Sequence, residues 1–287
     1  MRANMGVMRT VPAWPFLGRE DALVTLTTAL ADPAVDGVVA VGPAGVGRSR
    51  LLDEASATLL DRGAVVHRIV ATRANRATRW AACAELLPAI VGRNPTNLDV
   101  LRHTGPALAS QAGGRPVVIT VDDAQWLDGG SAGLLAHVAR NGVFVVLGLR
   151  SSDRLPPALA TLWRQSHLVE RELCPLPLAV MEMLLTVALG GPVDPAGRHD
   201  LLRLAGGDLT LLRALVETCL AAGNLVLVDG LWRWSGQLAW APRLRAVVEA
   251  QLGSVDPALQ PVVELLAVAG QLETEVAAAM VDPALLA

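Results

Sequence analysis

Short apolar runs alternate with helix-period segments over the first two-thirds of the chain. WPFLGREDA, from Trp14 to Ala22, leads into an amphipathic pattern that runs to Leu30. Val38–Val41 is a buried strand, and Arg50 to Leu60 has helical spacing ending near Gly63. Ala64–Thr72 (AVVHRIVAT) predicts a second strand. Helical segments are predicted over Trp80–Ile90 and Asn97–Gln111, then a strand over Val117–Val121. A helix over Ser131–Asn141 precedes a strand at Val143–Leu149, and Leu168–Leu173 is a fifth strand. Strands alternating with helices predict an α/β fold, with a parallel five-stranded sheet covered on both faces.

The pattern changes after Pro177. Leu178–Leu189 and Leu209–Ala222 read as helices, with Gly206-Gly207 between them. NLVLVDGLWRW, Asn224 to Trp234, alternates around Asp229-Gly230, a two-residue hairpin signal. Trp232 and Trp234 would share one face and pack on the helices. Ala241–Leu252 and Pro257–Ala269 are further helices. The expected organisation is a loose tail over 1–11, an α/β core over 12–176, a helical lid with a hairpin over 177–253, and the beginning of another module over 254–287. The sequence is still helix-like at Ala287, which reads as a fragment of a longer protein.

The connection after the first strand carries the candidate chemistry. VVAVGPAGVGRSRLL, Val38 to Leu52, is a strand, a Gly-rich turn and a helix start. Gly42, Gly45 and Gly47 let backbone N–H groups approach phosphate oxygens, and the helix N-terminus adds a partial positive charge. Pro43, Ala44 and Val46 complete the loop, and Arg50 follows it. Ser49 would offer a hydroxyl to Mg²⁺, and Arg48 would meet the β- and γ-phosphates. A ligand-free strand–turn–helix is the plainer alternative. A dinucleotide fingerprint fits poorly, because Ala44 stands where its second glycine should be.

A second motif strengthens the phosphate reading. VVITVDD, Val117 to Asp123, is a buried strand ending in two acids about 75 residues after the loop. Asp122 is placed to hold Mg²⁺ through its water shell, and Asp123 to polarise a water for attack on the γ-phosphate. The alternative use of such acids, capping the next helix, falls better to Asp128. Arg150 ends another buried strand at the same sheet edge. It could contact a γ-phosphate, or it could be a surface arginine paired with Asp153.

Composition narrows the setting. A chain of 287 residues, 52% hydrophobic, supports one large or two smaller domains. A net charge of −3 gives no footprint for nucleic-acid binding by this segment itself. Cys83, Cys174 and Cys219 are odd in number and far apart, which suggests reduced thiols in a cytoplasm, and no ligand spacing suggests a metal cluster. His67 reads as a core or surface imidazole. The longest apolar stretch, Leu178–Gly191, is too short to span a membrane and contains Glu182. All 24 basic residues are arginine. Arg48 is therefore either compositional drift that keeps the charge or the loss of a catalytic group, since a planar guanidinium cannot mimic a compact ammonium.

With these motifs in place, the chain resembles the nucleotide-binding region of the large ATP-binding LuxR-type (LAL) transcriptional regulators. These are signal-transduction (STAND) P-loop NTPases with an AAA+-like fold. FLGRE, Phe16 to Glu20, resembles the adenine-side motif, which places Gly18 and Arg19 at the nucleotide. GPAGVGRS, Gly42 to Ser49, resembles the Walker A loop, and VDDAQWLD, Val121 to Asp128, the Walker B strand and its continuation. LGLRSSD, Leu147 to Asp153, resembles the sensor strand and favours a γ-phosphate role for Arg150. AGGDLTLLRALV, Ala205 to Val216, resembles the lid motif, with Asp208-Leu209 where the family usually has Asn-Pro.

The resemblance implies an ATP/ADP switch using Mg²⁺, with Asp208 among the nucleotide contacts. It further implies a lid followed by a winged helix, and self-association on activation. DNA would be bound only through a C-terminal helix-turn-helix that this sequence does not contain. The residues also leave two other readings open: an interaction scaffold of the same fold that no longer uses nucleotide, and a phosphoryl-transfer enzyme, for which no acceptor-substrate motif is evident.

Overall fold

The computed structural model describes residues 14–88, 96–151, 157–165, 167–238, 241–252, 259 and 261–264. Helix α1 (Glu20–Thr28) precedes strand β1 (Gly37–Gly42), and helix α2 (Arg48–Asp61) leads to β2 (Val65–Val70). Helix α3 (Asn97–Ala112) is followed by β3 (Val117–Asp122), α4 (Gly129–Ala139) and β4 (Phe144–Arg150). Helix α5 (Pro157–Gln165) and strand β5 (Leu168–Glu172) complete the first unit. The second contains α6 (Leu178–Leu189), α7 (Pro195–Ala205), α8 (Leu209–Ala221), a hairpin of β6 (Leu225–Val228) and β7 (Leu231–Trp234), and α9 (Pro242–Leu252).

The five strands β1–β5 form one sheet in the order β2-β3-β4-β1-β5, and every pairing is parallel. Side chains alternate between its faces. Val38 and Ala40 of β1, with Val118, Phe144 and Val146, pack against Leu26 of α1 and Leu51, Leu52 and Leu59 of α2. Val39 of β1, with Ile119, Val145 and Leu147, packs against Leu108 of α3, Leu134 and Leu135 of α4 and Leu162 of α5. Burial on both faces explains the continuous apolar runs. The parallel pairing carries every strand's C-terminal end to one edge of the sheet.

A separate core joins α6, α7, α8 and the hairpin through Leu185, Leu201, Leu212, Leu215 and Trp232. Asp229 (φ 53°) and Gly230 (φ 78°) make the expected hairpin turn. Trp232 and Trp234 do face the helices, and Trp232 Nε1 donates to the Leu189 carbonyl at 3.0 Å. Trp14 and Leu17 pack on this second core, which ties the first described segment to it.

One expectation needs correction, and two helices are additional to the expected set. The helix expected over Trp80–Ile90 is reduced to a short 3₁₀ turn at Ala84–Leu86, with residues 89 and 90 outside the described set. The cause is tertiary: Asp128 accepts the Trp80 N–H at 2.9 Å and Ser131 Oγ that of Cys83 at 3.3 Å, and Trp80 is held at φ 64°. Helices α5 and α7 were not anticipated. The tail over 1–11, Asp153, and nearly all of the module expected over 254–287 lie outside the described residues. Of the helix expected over Pro257–Ala269, residues 261–264 are helical. Among the described residues, no helix is long and apolar enough to cross a membrane.

Candidate nucleotide site

The loop between β1 and α2 has the geometry its glycines predict. Gly45 and Gly47 take φ values of 68° and 97°, in the left-handed region. Gly42 is needed for space, because a Cβ there would stand 2.7 Å from the Leu173 carbonyl oxygen. The first ladder bond of α2 runs from Leu51 N to Gly47 O at 3.0 Å. The amides of Arg48, Ser49 and Arg50 therefore precede any intrahelical acceptor and remain available to an anion. Pro43, Ala44 and Ser49 are exposed, whereas Val46 is buried in the core beside α2.

Arg48 does not extend outward. Its guanidinium is 7% exposed and donates to the carbonyls of Gly42 and Pro43 and to Asp123 Oδ1, the last at 3.2 Å. Burial lowers its pKa and the nearby Asp123 charge raises it, and an arginine stays cationic under both influences. Arg50 also turns away from the loop, to Glu54 one helical turn on at 2.6 Å.

The acids stand at the end of β3, as the sequence implies. Asp122 is buried, and its Oδ1 accepts the Asp123 N–H at 3.0 Å. A Cβ at Gly148 of β4 would lie 3.2 Å from that same oxygen, so the glycine leaves room for the carboxylate. Asp123 sits at φ 51°, a strained position for a non-glycine residue. Its Oδ1 accepts from Arg48 and from the Gln125 amide, the latter at 2.9 Å, and lies 3.8 Å from the Nε of Arg150, an ion pair beyond hydrogen-bond reach. Gln125 was not singled out from the sequence. It is 2% exposed, and its Oε1 accepts the Arg150 N–H at 3.3 Å, so one amide joins the second acid to the end of β4. Its place two residues after a strand-ending acid pair was the available signal. Asp128 caps α4 by accepting the Ser131 N–H at 2.9 Å, as expected.

Arg19 reaches the loop from the other side, donating to Val46 O at 3.1 Å and to Cys174 O. Burial lowers its pKa. Gly18 serves packing: at φ 73°, a Cβ would stand 2.6 Å from Val180 Cγ1 of α6. Asp208 is the N-cap of α8, accepting the Leu211 N–H at 2.8 Å, and its carboxylate lies directly against Gly45. The structure thus brings the loop, Asp122, Asp123, Arg150, Arg19 and Asp208 to one edge of the sheet.

Residues 15–147 match the family model described as AAA ATPase domain. Among solved structures, the Orc1 protein of Aeropyrum pernix, in complex with DNA, superposes with a TM-score of 0.57 at 18% identity over 73% of this chain. Cdc6p of Pyrobaculum aerophilum gives 0.57 at 15% identity over 75%. A Walker-type ATPase of Pyrococcus abyssi gives 0.50 at 13% identity over 83% of this chain and 73% of its own. The fold is that of an AAA+ P-loop NTPase. This chain spans 61% of the length of the Orc1 structure and 64% of the Cdc6p structure. No curated protein matches it in sequence.

The residues at this AAA+ edge fit an anionic ligand. The Nε atoms of Arg19, Arg48 and Arg150 are buried and make no hydrogen bond, an arrangement that costs free energy unless an acceptor arrives. Ser49 and Asp122 carry hard oxygens of the kind Mg²⁺ takes and would be the residues to hold it.

Proposed function

We propose that the chain is the nucleotide-binding switch region of a bacterial transcriptional regulator, binding ATP and ADP with Mg²⁺ and hydrolysing ATP slowly. The observation that carries this reading is the ion pair of Arg48 with Asp123. The residue expected at the phosphates and the acid expected to polarise water are bound to each other, beside a loop of phosphate-binding shape. Slow turnover follows, because the Asp123 carboxylate is engaged by Arg48 instead of being turned to a water. Mg²⁺, held by Ser49 and Asp122, would neutralise phosphate charge. Arg150 would contact the terminal phosphate, and Arg19 would line the nucleotide's other end.

The regulatory setting rests on the resemblance of FLGRE, VDDAQWLD and the lid motif to LAL regulators of the STAND class. It carries with it a cytoplasmic location, self-association on activation, and DNA contact through a helix-turn-helix outside this sequence. The scaffold reading has one observation in its favour, the saturation of Arg48 by the loop's own carbonyls. Calorimetric titration with ADP and Mg²⁺ separates the two. Saturable, Mg²⁺-dependent binding is expected of the switch, and no heat at millimolar nucleotide supports the scaffold.

A further inference from the structure

The first turn of α8 lies on the phosphate-binding loop. The Asp208 carboxylate occupies the space in which a side chain at Gly45 would begin. The Leu209 N–H donates to the Gly45 carbonyl at 2.9 Å, and a Cβ at Gly47 would stand 3.3 Å from Leu209 Cδ1. Both positive-φ glycines of the loop are therefore covered by two consecutive lid residues. Asp208 is fixed there, because the same carboxylate caps its helix.

A loop that presents backbone N–H groups beside a helix N-terminus attracts anions. The group set against it here is itself an anion, supplied by the chain. We propose that Asp208 is an intramolecular competitor of nucleotide phosphates at the Gly42–Ser49 loop, and that nucleotide enters when the first turn of α8 lifts from Gly45 and Gly47. This rests on the nucleotide reading above and gives Asp208 a role opposite to that of a nucleotide ligand. A neutral amide at the same position would cap α8 equally well and would not repel phosphate.

Asp208→Asn is the direct test, since asparagine is an equally good N-cap of nearly the same size. Glu217→Gln is the control: it removes one negative charge from the same helix at a residue paired with Arg213 and Arg243, away from the loop. Affinity for ADP and for ATP, each with Mg²⁺, is measured by calorimetry at low salt and at about 0.5 M salt, where exposed charges are screened. Asp208→Asn is expected to bind about tenfold tighter than the parent, the margin narrowing at high salt, with Glu217→Gln unchanged. Equal or weaker binding by Asp208→Asn, or an equal gain in Glu217→Gln, overturns the proposal and leaves the nucleotide reading standing. Absence of binding in all three proteins overturns both.

Discussion

The bond between Arg48 and Asp123 sets stability against turnover, and a double-mutant cycle measures it. At 3.2 Å and an effective dielectric of about 20, two unit charges attract by about 5 kcal/mol. Most of that is spent on removing the guanidinium from water, since Arg48 is 7% exposed while Asp123 remains 28% exposed. A net coupling of about 1–2 kcal/mol remains. Arg48→Met and Asp123→Asn, singly and together, are unfolded in urea. The pair should cost about 1–2 kcal/mol less than the sum of the singles, or about 2–8 °C in melting temperature for a domain of this size. Additivity within about 0.3 kcal/mol would refute the coupling of Arg48 with Asp123. The companion variant, Arg48→Lys, has compact donors that can serve the loop carbonyls without a fork reaching Asp123. With Asp123 freed of its closest cation, ATP turnover should rise about ten- to a hundredfold, equivalent to about 1.4–2.7 kcal/mol of barrier. Unchanged turnover would mean that the arginine merely preserves charge.

Three further outcomes are expected. Asp122→Ala should weaken Mg²⁺-dependent nucleotide binding, while Asp123→Asn should mainly slow hydrolysis; equal loss of binding in both would contradict the division of roles. Asp128→Ala should destabilise the fold by about 3–4 kcal/mol, because it strands the buried Trp80 and Ser131 N–H groups and the Ser131 hydroxyl; a urea midpoint close to the parent's would deny that role. Burial lowers the His67 pKa below its ordinary 6.5, so the unfolded chain binds the proton more readily. This contribution to stability is intact above pH 6.5 and is lost as pH falls through it. His67→Gln should therefore show a shallower fall in urea midpoint between about pH 7.5 and 5.5 than the parent, and identical slopes would remove His67 as the cause.

The features legible in the sequence are those fixed by nearby residues. The glycines of the loop, the apolar run into Asp122-Asp123, the Asp229-Gly230 turn and the Asp128 cap each act within a few positions. The strands were legible because burial on both faces leaves continuous apolar runs. Helix α7 escapes local pattern because the leucines of PAGRHDLLRLA all fall in its second half, behind Gly197, Arg198, His199 and Asp200, although Asp194 with Pro195 and then Gly206 mark its ends. Residues 80–88 were misread because backbone N–H groups at Trp80 and Cys83 are taken by Asp128 and Ser131, 48 residues away. The same reason hid the state of the site. Arg48 folds back to an acid 75 residues distant, and Asp208 reaches Gly45 from another unit of the chain. Local pattern places such groups at a common edge but does not say which of them bind one another.

Everything proposed for this edge depends on its holding adenine nucleotide. The most direct measurement is to denature the purified chain and identify any released nucleotide by ion-exchange chromatography, then titrate the refolded or nucleotide-free protein with ATP and Mg²⁺. A nucleotide site at this edge gives released ADP, or saturable uptake of ATP that depends on Mg²⁺. A protein that releases nothing and takes up nothing would contradict it and leave the scaffold reading in its place.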